Sequence, residues 1–213
     1  MTYHVPENYM EITHSFYEKN ADEYVSNTGS MEDLTWLENF STFLPERGCV
    51  LDAGCAAGRD TEWFANKGYD TYGIDFSERM IEKAKQALKN AKFIKMNLMN
   101  LDFPDVLFDG IWASCVLLHI SKADIPKVIN NFSRVLKQGG VVYIQVKTGL
   151  IEGIEKDSRY DGDEKFASYF ESDELTDLLI KSGFNISEST KFNDKVDNYR
   201  ATNRVLLIAQ KVH

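Results

Sequence analysis

The fold of this chain is decided by residues 50–59, VLDAGCAAGR, in which an apolar run leads into a turn of small residues and then a helix. Only small side chains let a ligand approach the backbone of such a turn. An acidic residue, Asp75, ends the next predicted strand, and its carboxylate can accept hydrogen bonds from both hydroxyls of a ribose. The stretch therefore predicts a nucleoside-containing ligand at the carboxyl ends of parallel strands.

On both sides of this stretch, short β-rich runs alternate with amphipathic helical runs, which is typical of a parallel sheet with crossover helices. The predicted parallel strands are Cys49–Ala53, Tyr69–Ile74, Ala91–Met96, Phe108–Ala113 and Gly140–Val146. Two later strands, near Phe184–Lys191 and Asn203–Lys211, are separated by a turn-rich stretch. That separation predicts an antiparallel hairpin at the end of the sheet.

Sequence signals for helices lie between the predicted strands. Ser77 is an N-cap candidate for a helix over Glu78–Asn90, and Gly139-Gly140 is expected to close a helix over Phe132–Lys137. A further helix is predicted near Asp173–Ser182, ended by glycine. Residues 8–44 carry aromatic and aliphatic residues at helical spacing and predict two helices joined by a turn at residues 27–30.

Composition excludes several classes of protein. The formal net charge of −9 disfavours binding to nucleic acid, because an acidic surface repels the phosphate backbone. We find no apolar run of membrane-spanning length and no leader-like N-terminus, so we expect no membrane association. The three cysteines form no CxxC pair and lie near no spaced histidine cluster. We therefore expect reduced thiols, no metal site and a cytoplasmic location; the sequence does not predict the oligomeric state.

Glycine spacing separates two kinds of nucleoside ligand. In a dinucleotide fingerprint, G-x-G-x-x-G, counted from Gly54, Ala56 and Arg59 fall at the second and third glycine positions. The missing third glycine disfavours an NAD(P)-dependent oxidoreductase, which stays as an alternative. A non-catalytic nucleoside-binding protein is a second alternative, because a fold alone does not establish catalysis.

The spacing here resembles the first motif of the class I S-adenosylmethionine-dependent methyltransferases, (D/E)-x-G-x-G-x-G, with Ala56 in place of the middle glycine. Further motifs of that family follow in order at residues 73–77 (GIDFS), 108–113 (FDGIWA) and 134–140 (RVLKQGG), so the resemblance covers roughly residues 45–147. Residues 165–170 (KFASYF) and 173–175 (DEL) resemble a subgroup of small-molecule methyltransferases.

The resemblance implies an α/β Rossmann-like methyltransferase fold. Its sheet would be mostly parallel and seven-stranded, with a C-terminal antiparallel hairpin strand and helices on both faces. It further implies one domain over residues 1–213, with a helical lid (1–45), a cofactor-binding core (46–147) and an acceptor loop, helix and C-terminal strands (148–213). The activity implied is O- or N-methylation of a small molecule by S-adenosyl-L-methionine, which leaves S-adenosyl-L-homocysteine; an RNA or protein acceptor is disfavoured by the acidic charge.

The same resemblance assigns cofactor contacts residue by residue. Asp52 is expected to hold the amino-acid end, Asp75 the ribose, and Arg59 the cofactor carboxylate, although a solvated helix surface explains Arg59 equally well. Tyr17 and Tyr24 share one face of the lid helix, although interface packing is the alternative for these tyrosines and core packing the alternative for Met80. The expected cofactor-binding residues are Tyr17, Tyr24, Asp52, Ala53, Gly54, Cys55, Arg59, Asp75, Phe76, Met80, Asn97, Leu98, Ala113 and Ser114.

The acceptor is expected at the same edge of the sheet. His119 follows the fourth strand and is a candidate general base, since histidine titrates near neutral pH; a structural hydrogen-bonding role is equally compatible. Lys147, Arg159 and Tyr169 are candidate substrate residues. The long polar segment Leu150–Lys165 is expected to be a loop that closes the acceptor pocket, with a solvated loop as the alternative.

Overall fold

The computed structural model describes residues 5–28, 34–194 and 202–212. Within these ranges, the helices are α1 (Tyr9–Thr28), α2 (Thr35–Ser41), α3 (Arg59–Asn66), α4 (Glu78–Ala87), α5 (Ile125–Val135) and α6 (Ser172–Lys181), with a 3₁₀ turn at Leu117–His119. The strands are β1 (Cys49–Ala53), β2 (Asp70–Asp75), β3 (Lys92–Lys95), β4 (Phe108–Ser114), β5 (Leu136–Lys147), β6 (Glu152–Asp157), β7 (Asp163–Ser168), β8 (Phe184–Asp194) and β9 (Thr202–Lys211).

Seven strands form one sheet in the order β3-β2-β1-β4-β5-β9-β8. The pairs β1–β2, β1–β4, β2–β3 and β4–β5 are parallel, and β9 runs antiparallel between β5 and β8. The predicted fold class is therefore confirmed. Because the chain leaves β1 towards β2 and returns to β4 on its other side, the carboxyl ends of β1 and β4 border the crevice in which open α/β sheets bind ligands.

Successive side chains of the central strands enter two different cores, because neighbouring residues of a strand point to opposite faces. Val142 and Ile144 of β5 pack in a cluster with Phe132 of α5. Tyr143, between them in the sequence, packs in another cluster with Phe40 of α2. Helices cover both faces of the sheet, as predicted.

Helix α5 ends earlier than the glycine pair suggested. The prediction continued this helix to Lys137 and closed it at Gly139-Gly140, but α5 ends at Val135 and β5 begins at Leu136. Leu136 pairs with Phe108 of β4, and an irregularity shifts the register of the two strands after this pair. The next residue paired with β4 is Val141, so Gly139 and Gly140 lie in the irregularity inside β5, where Gly139 has a φ of +75°.

Helix α4 is also shorter than predicted and ends at Ala87 instead of Asn90. Leu88 has extended backbone angles, and its buried side chain packs in a cluster with Ile81 and Phe93. The helix ends here because Leu88 turns into the core. The polar sequence around Leu88 contains no signal that predicts this end.

The segment Leu150–Lys165, expected as a loop, contains β6 and the first part of β7, which form a separate two-stranded antiparallel sheet. This hairpin packs against α1: the amide of Phe166 donates to Oγ1 of Thr13 at 3.1 Å, and Lys19 pairs with Asp163 at 2.7 Å. The loop prediction was wrong, and the hairpin braces the N-terminal helix.

The N-terminal part folds into two helices, α1 and α2, as predicted, but Asn27 and Thr28, which were predicted to begin the turn, are the last two residues of α1. Gly29 and Ser30 of the predicted turn lie outside the described residues. None of the helices in the described part of the chain combines the length and the apolar content that crossing a bilayer would require.

Candidate functional site

The turn after β1 has a backbone shape that favours glycine. Gly54 has a φ of +81°, and a Cβ atom at this position would lie 2.4 Å from Cγ2 of Val116. The amides of Gly54 and Cys55 donate to the Ile74 carbonyl at 2.8 and 2.9 Å. Ala56, at the motif's middle glycine position, has a φ of +46°. The backbone of the turn, which carries no large side chain, therefore packs against the end of β2. Ala56 adopts a left-handed conformation in this turn.

Asp75 at the end of β2 is fixed by this turn. Its two carboxylate oxygens accept hydrogen bonds from the amides of Ala56, at 3.0 Å, and Ser77, at 2.9 Å. Burial raises the pKa of Asp75 to about 6. Each oxygen keeps a further lone pair, so the carboxylate can accept two more hydrogen bonds from hydroxyl groups in the adjoining cavity.

Two buried carboxyl groups lie behind the turn. Asp52 is 3% exposed and accepts a hydrogen bond from Thr61 Oγ1 at 2.6 Å. Asp60 accepts from Nε1 of Trp112 at 2.8 Å. Burial and then the neighbouring Asp60 raise the pKa of Asp52. A cation beside Asp52 would favour its ionised form.

Arg59 supplies positive charge beside the carboxyl groups of Asp52 and Asp60. Its Nε lies 2.7 Å from Oδ1 of Asp60, and its Nη1 donates to the Thr28 carbonyl of α1 at 3.1 Å. The guanidinium is thus engaged within the protein, and the predicted contact with a cofactor carboxylate stays a prediction.

A cavity opens at the carboxyl ends of β1, β2 and β4, beneath α1. The predicted site residues that line it are Tyr17, Tyr24, Gly54, Asp75, Phe76, Asn97, Leu98, Ser114 and His119. Residues from five separate parts of the chain therefore meet around one space.

Sequence reasoning missed the other lining residues, which are Met10, Ala56, Ile74, Met96, Cys115, Val116 and Ile120. Most of these follow directly on a strand or the motif turn, and the rule that ligands bind at carboxyl ends of strands could have found them. Met10 on α1 carries no local signal.

Several predicted cofactor residues lie behind the cavity wall. Ala53, Met80 and Ala113 are fully buried, and Cys55 packs in a cluster with Phe93. Packing accounts for these side chains, and their predicted contacts with a cofactor stay predictions, as those of Asp52 and Arg59 do.

Asn97 has its side chain at the cavity mouth. Its Oδ1 accepts from the Met99 amide at 2.8 Å, and its Nδ2 lies 3.6 Å from the sulfur of Met10. The amide oxygen keeps a second lone pair, so it can still accept a bond from an adenine amino group.

Helix α1 covers the cavity with aromatic rings. The centroid of Tyr17 lies 5.3 Å from that of Tyr24 and 6.2 Å from that of Phe76. Glu18 accepts from Ser77 Oγ at 2.7 Å, which ties α1 to the start of α4. The two tyrosines predicted on one helix face therefore line the same cavity as the turn after β1.

His119 is held on both ring nitrogens. Nδ1 lies 2.9 Å from the Phe166 carbonyl, which only accepts, so Nδ1 carries the proton and Nε2 accepts from the Tyr17 hydroxyl at 2.7 Å. Burial, with the ammonium groups of Lys165 and Lys147, lowers the pKa of His119 to about 3. This arrangement favours a positioning role for His119 over the predicted general base.

The candidate substrate residues fall into two groups. Lys147 Nζ donates to the Tyr169 hydroxyl at 3.1 Å, and that hydroxyl donates to Glu155 at 2.9 Å. Arg159 instead binds Asp157 with its Nε and Nη2, at 3.0 and 2.8 Å, in the turn between β6 and β7. The structure brings Lys147 and Tyr169 together and places Arg159 elsewhere on the hairpin.

The comparisons with known proteins all find methyltransferases. The profile of the methyltransferase domain family matches residues 51–144. YqeM of Bacillus subtilis, described as a methyltransferase, is 30% identical over 174 residues, which are 76% of this chain and 69% of that protein. The O-methyltransferase resE of Aspergillus sclerotiorum is 29% identical over 163 residues, covering 69% of this chain and 58% of that protein.

Among solved structures, the 1,6-didemethyltoxoflavin-N1-methyltransferase of Burkholderia thailandensis, with bound 1,6-didemethyltoxoflavin and S-adenosylhomocysteine, superposes with a TM-score of 0.78. The two chains are 18% identical, and the match covers 100% of this chain and 93% of the other. At this identity the likeness supports the fold alone.

Proposed function

This chain belongs to the class I S-adenosylmethionine-dependent methyltransferases, and we propose that it methylates a small molecule bound beside His119. The observation that carries the proposed site is the half-buried carboxylate of Asp75, which two backbone amides hold at the cavity beside the Gly54 turn. The name of one relative, the O-methyltransferase resE, supports a small acceptor.

The cavity residues fit S-adenosylmethionine. The carboxylate of Asp75 would accept the ribose hydroxyls, and Phe76, Leu98 and Asn97 would contact the adenine. Gly54 lines the cavity, and the absence of a Cβ atom there leaves room for the side chain of Val116, which lines the same cavity. Asp52 would accept a hydrogen bond from the ammonium group of the amino-acid end, directly or through water.

When bound, S-adenosylmethionine supplies a methyl group already activated by a sulfonium, so the protein mainly positions the reactants and excludes water. Tyr17 and Tyr24 cover the cavity from α1, and the hydrogen bond to His119 fixes the Tyr17 ring. A neutral His119 with a lowered pKa is a weak base. We therefore propose that His119 positions Tyr17 and that the acceptor needs little help in losing a proton.

These proposed roles divide the chain into three parts. We propose that residues 1–45 act as a lid, that residues 46–147 form the cofactor-binding core, and that residues 148–213 supply the acceptor side. The contacts of α1 with both α4 and the β6–β7 hairpin support the first of these assignments.

Isothermal titration calorimetry with S-adenosylhomocysteine tests the cofactor site. We expect the parent protein to bind it and Asp75→Asn to bind at least tenfold more weakly, because the amide replaces one acceptor oxygen with a donor. Asp102→Asn, at an exposed position, is the matched control and should bind like the parent. Equal affinity of the two variants would remove Asp75 from the site.

Methyl transfer tests the acceptor class. The protein is incubated with S-adenosylmethionine labelled on the methyl group and, separately, with a small-molecule extract, total RNA or total protein. We expect label to pass only into the small-molecule fraction. Transfer into RNA or protein would contradict the proposal, and loss of the label on mild alkaline hydrolysis would distinguish a methyl ester from an N-methyl product.

A further inference from the structure

Asp75 carries the charge on the described lining of the cavity beneath α1. Of the described residues that form this lining, Asp75 is the only carboxylate, and none is a lysine or an arginine. Burial raises the pKa of Asp75 to about 6, so the group is mostly ionised at pH 7. A charged acceptor would therefore meet no cation on this described lining that could neutralise it.

Cations around the acceptor side contact other groups of the protein. The ammonium groups of Lys147 and Lys165 each pair with a carboxylate of β6, at 3.7 and 2.6 Å. Nη1 of Arg204 donates to the sulfur of Cys115 at 2.8 Å. These three cations have partners within the protein, and in the described part of the chain none of them lines the cavity.

Three titratable side chains on the acceptor side are shifted towards their neutral forms. Burial raises the pKa of Tyr17 and of Tyr24 above the ordinary value for tyrosine. Burial, followed by Lys165 and Lys147, lowers the pKa of His119 to about 3. Because burial is the largest cause of each shift, this part of the cavity disfavours charge of either sign.

Aromatic rings form much of the same wall. The ring centroids of Tyr17 and His119 lie 5.3 Å apart with planes at 78°, and those of Tyr17 and Tyr24 lie 5.3 Å apart with planes at 77°. Val116 and Ile120 add aliphatic surface to the lining. Because aromatic rings pack favourably edge to face and offset, this wall suits a flat, apolar ring.

The charge of the cofactor determines which acceptor the cavity can hold at least cost. The sulfonium carries one positive charge, while the ammonium and carboxylate of the amino-acid end cancel each other. With the ionised Asp75, the cavity that holds S-adenosylmethionine therefore has no net charge. A neutral acceptor keeps this state, whereas a charged acceptor of either sign would add a buried charge without a partner.

We propose that the methyl acceptor is an uncharged aromatic molecule held against the rings of Tyr17 and His119. The proposal rests on the proposed function, since it names the acceptor class of the same site. Because the neutral His119 is a weak base, the accepting atom needs a lone pair that is available without loss of a proton, as on a ring nitrogen.

The transfer moves one charge and no proton. The bond between sulfur and the methyl carbon breaks and leaves its electron pair on sulfur, while the lone pair of the acceptor forms the new bond to carbon. The positive charge passes from sulfur to the methylated product. After the transfer, the product cation takes the place of the sulfonium as the partner of Asp75.

Ligand-observed NMR with three probes of matched size tests the proposal. Near pH 7.5, benzamide is neutral, benzoate is an anion and benzamidine is a cation. With saturating S-adenosylmethionine, we expect benzamide to bind about fivefold more tightly than either charged probe. With S-adenosylhomocysteine the sulfonium charge is absent, so benzamidine, which has the charge of the methylated product, should become the tightest of the three.

Asp75→Asn removes the carboxylate of the described lining. With saturating S-adenosylmethionine, we expect this variant to shift the ratio of benzoate to benzamide affinity about fivefold towards benzoate. Asp102→Asn, at an exposed position, is the matched control and should keep the ratio of the parent. Thermal melting checks that both variants fold, and the order of the three probes on the parent protein tests the proposal without them.

Benzoate or benzamidine that binds as tightly as benzamide in the presence of S-adenosylmethionine would overturn the proposal, and so would the failure of all three probes to bind. Calorimetry with S-adenosylmethionine and S-adenosylhomocysteine in the same samples separates the two proposals. If neither form of the cofactor binds, the proposed function fails and the acceptor class fails with it. If both forms bind and the order of the probes differs, only the uncharged acceptor is refuted.

Discussion

The hydroxyl of Tyr17 donates a 2.7 Å hydrogen bond to Nε2 of His119 across 102 positions of the sequence. The bond joins the N-terminal helix to the turn after β4, on opposite sides of the cavity. Because Nδ1 of His119 donates to the Phe166 carbonyl, the hairpin orients the imidazole and the imidazole orients the tyrosine. The imidazole of His119 thereby connects α1, the turn after β4 and the β6–β7 hairpin.

Tyr17→Phe should weaken the binding of S-adenosylhomocysteine about fivefold, because one hydrogen bond contributes about 1 kcal/mol to holding α1 over the cavity. Calorimetry measures the change. Tyr24→Phe removes a hydroxyl from the same helix face without touching this hydrogen bond and is the matched control. If Tyr17→Phe binds as tightly as the parent, the hydrogen bond does not hold the lid.

The activity of the protein between pH 6 and 8 should show no inflection that belongs to His119, since its pKa is lowered to about 3 and the ring stays neutral throughout. The profile of kcat/KM against pH should have the same shape for the parent and for His119→Gln, although the variant is slower. An acidic limb near pH 6.5 that disappears in the variant would instead identify His119 as the general base.

The cofactor half of the site could be predicted because its signals are local. The turn at Gly54 and the acidic end of β2 at Asp75 follow strands directly, and a parallel sheet places such residues at one edge. The environment of His119 could not be predicted in this way. The pKa of His119 depends on Phe166 and Lys165, which belong to the β6–β7 hairpin. The polar sequence of this segment predicted a loop instead of a hairpin.

Long-range contacts also limited what the sequence could predict about the cavity lining. Met10 reaches the site only because α1 folds back over the sheet, and nothing near Met10 in the sequence indicates this. Met80 shows a second limit: a helical position near the motif is compatible with a ligand contact or with core packing, and the side chain is fully buried, so its contact with a cofactor stays a prediction.

Binding of 5′-methylthioadenosine should depend on pH through Asp75. This ligand keeps the ribose and lacks the ammonium group, so it does not report on Asp52. Because burial raises the pKa of Asp75 to about 6, the ionised acceptor falls to about a tenth of the population at pH 5, and the apparent affinity should fall about tenfold from pH 7 to pH 5.

The same titration of Asp75→Asn should be weaker and independent of pH, while Asp102→Asn should follow the parent. A parent profile that stays flat from pH 7 to pH 5 would contradict the assignment of Asp75 to the ribose.

Asp52→Asn should make the unliganded protein more stable at pH 8 and not at pH 4. Burial and Asp60 raise the pKa of Asp52 in the folded protein above its ordinary value of 3.8. The stability contributed by such a group is complete below the unfolded pKa and is lost as the pH rises through the folded pKa. Asparagine can still accept the hydrogen bond from Thr61 and never ionises.

We expect the gain at pH 8 to be about 1 kcal/mol or more, since one pKa unit corresponds to about 1.4 kcal/mol, and Tm to rise by about 2–4 °C. Differential scanning calorimetry at the two pH values measures it. The variant should also lose affinity for S-adenosylhomocysteine but not for 5′-methylthioadenosine. A variant less stable than the parent at pH 8 would show that Asp52 is ionised and well compensated.

Gly54→Ala should abolish cofactor binding. It should also destabilise the protein, through two effects that can be separated. A φ of +81° strains any residue with a Cβ atom, and this Cβ would lie 2.4 Å from Val116. Gly68→Ala is the matched control, because Gly68 has a φ of +92° with no atom within 4 Å of its Cβ position. Strain alone should cost the control about 1 kcal/mol, while the contact with Val116 should add about 1–3 kcal/mol.

Urea denaturation compares the stabilities of these two glycine variants, and calorimetry with S-adenosylhomocysteine compares their binding. Gly68→Ala should bind like the parent because it lies after α3, away from the cavity lining. If the variants lose equal stability and both still bind, the turn tolerates a side chain, and close approach of the ligand to the Gly54 backbone is excluded.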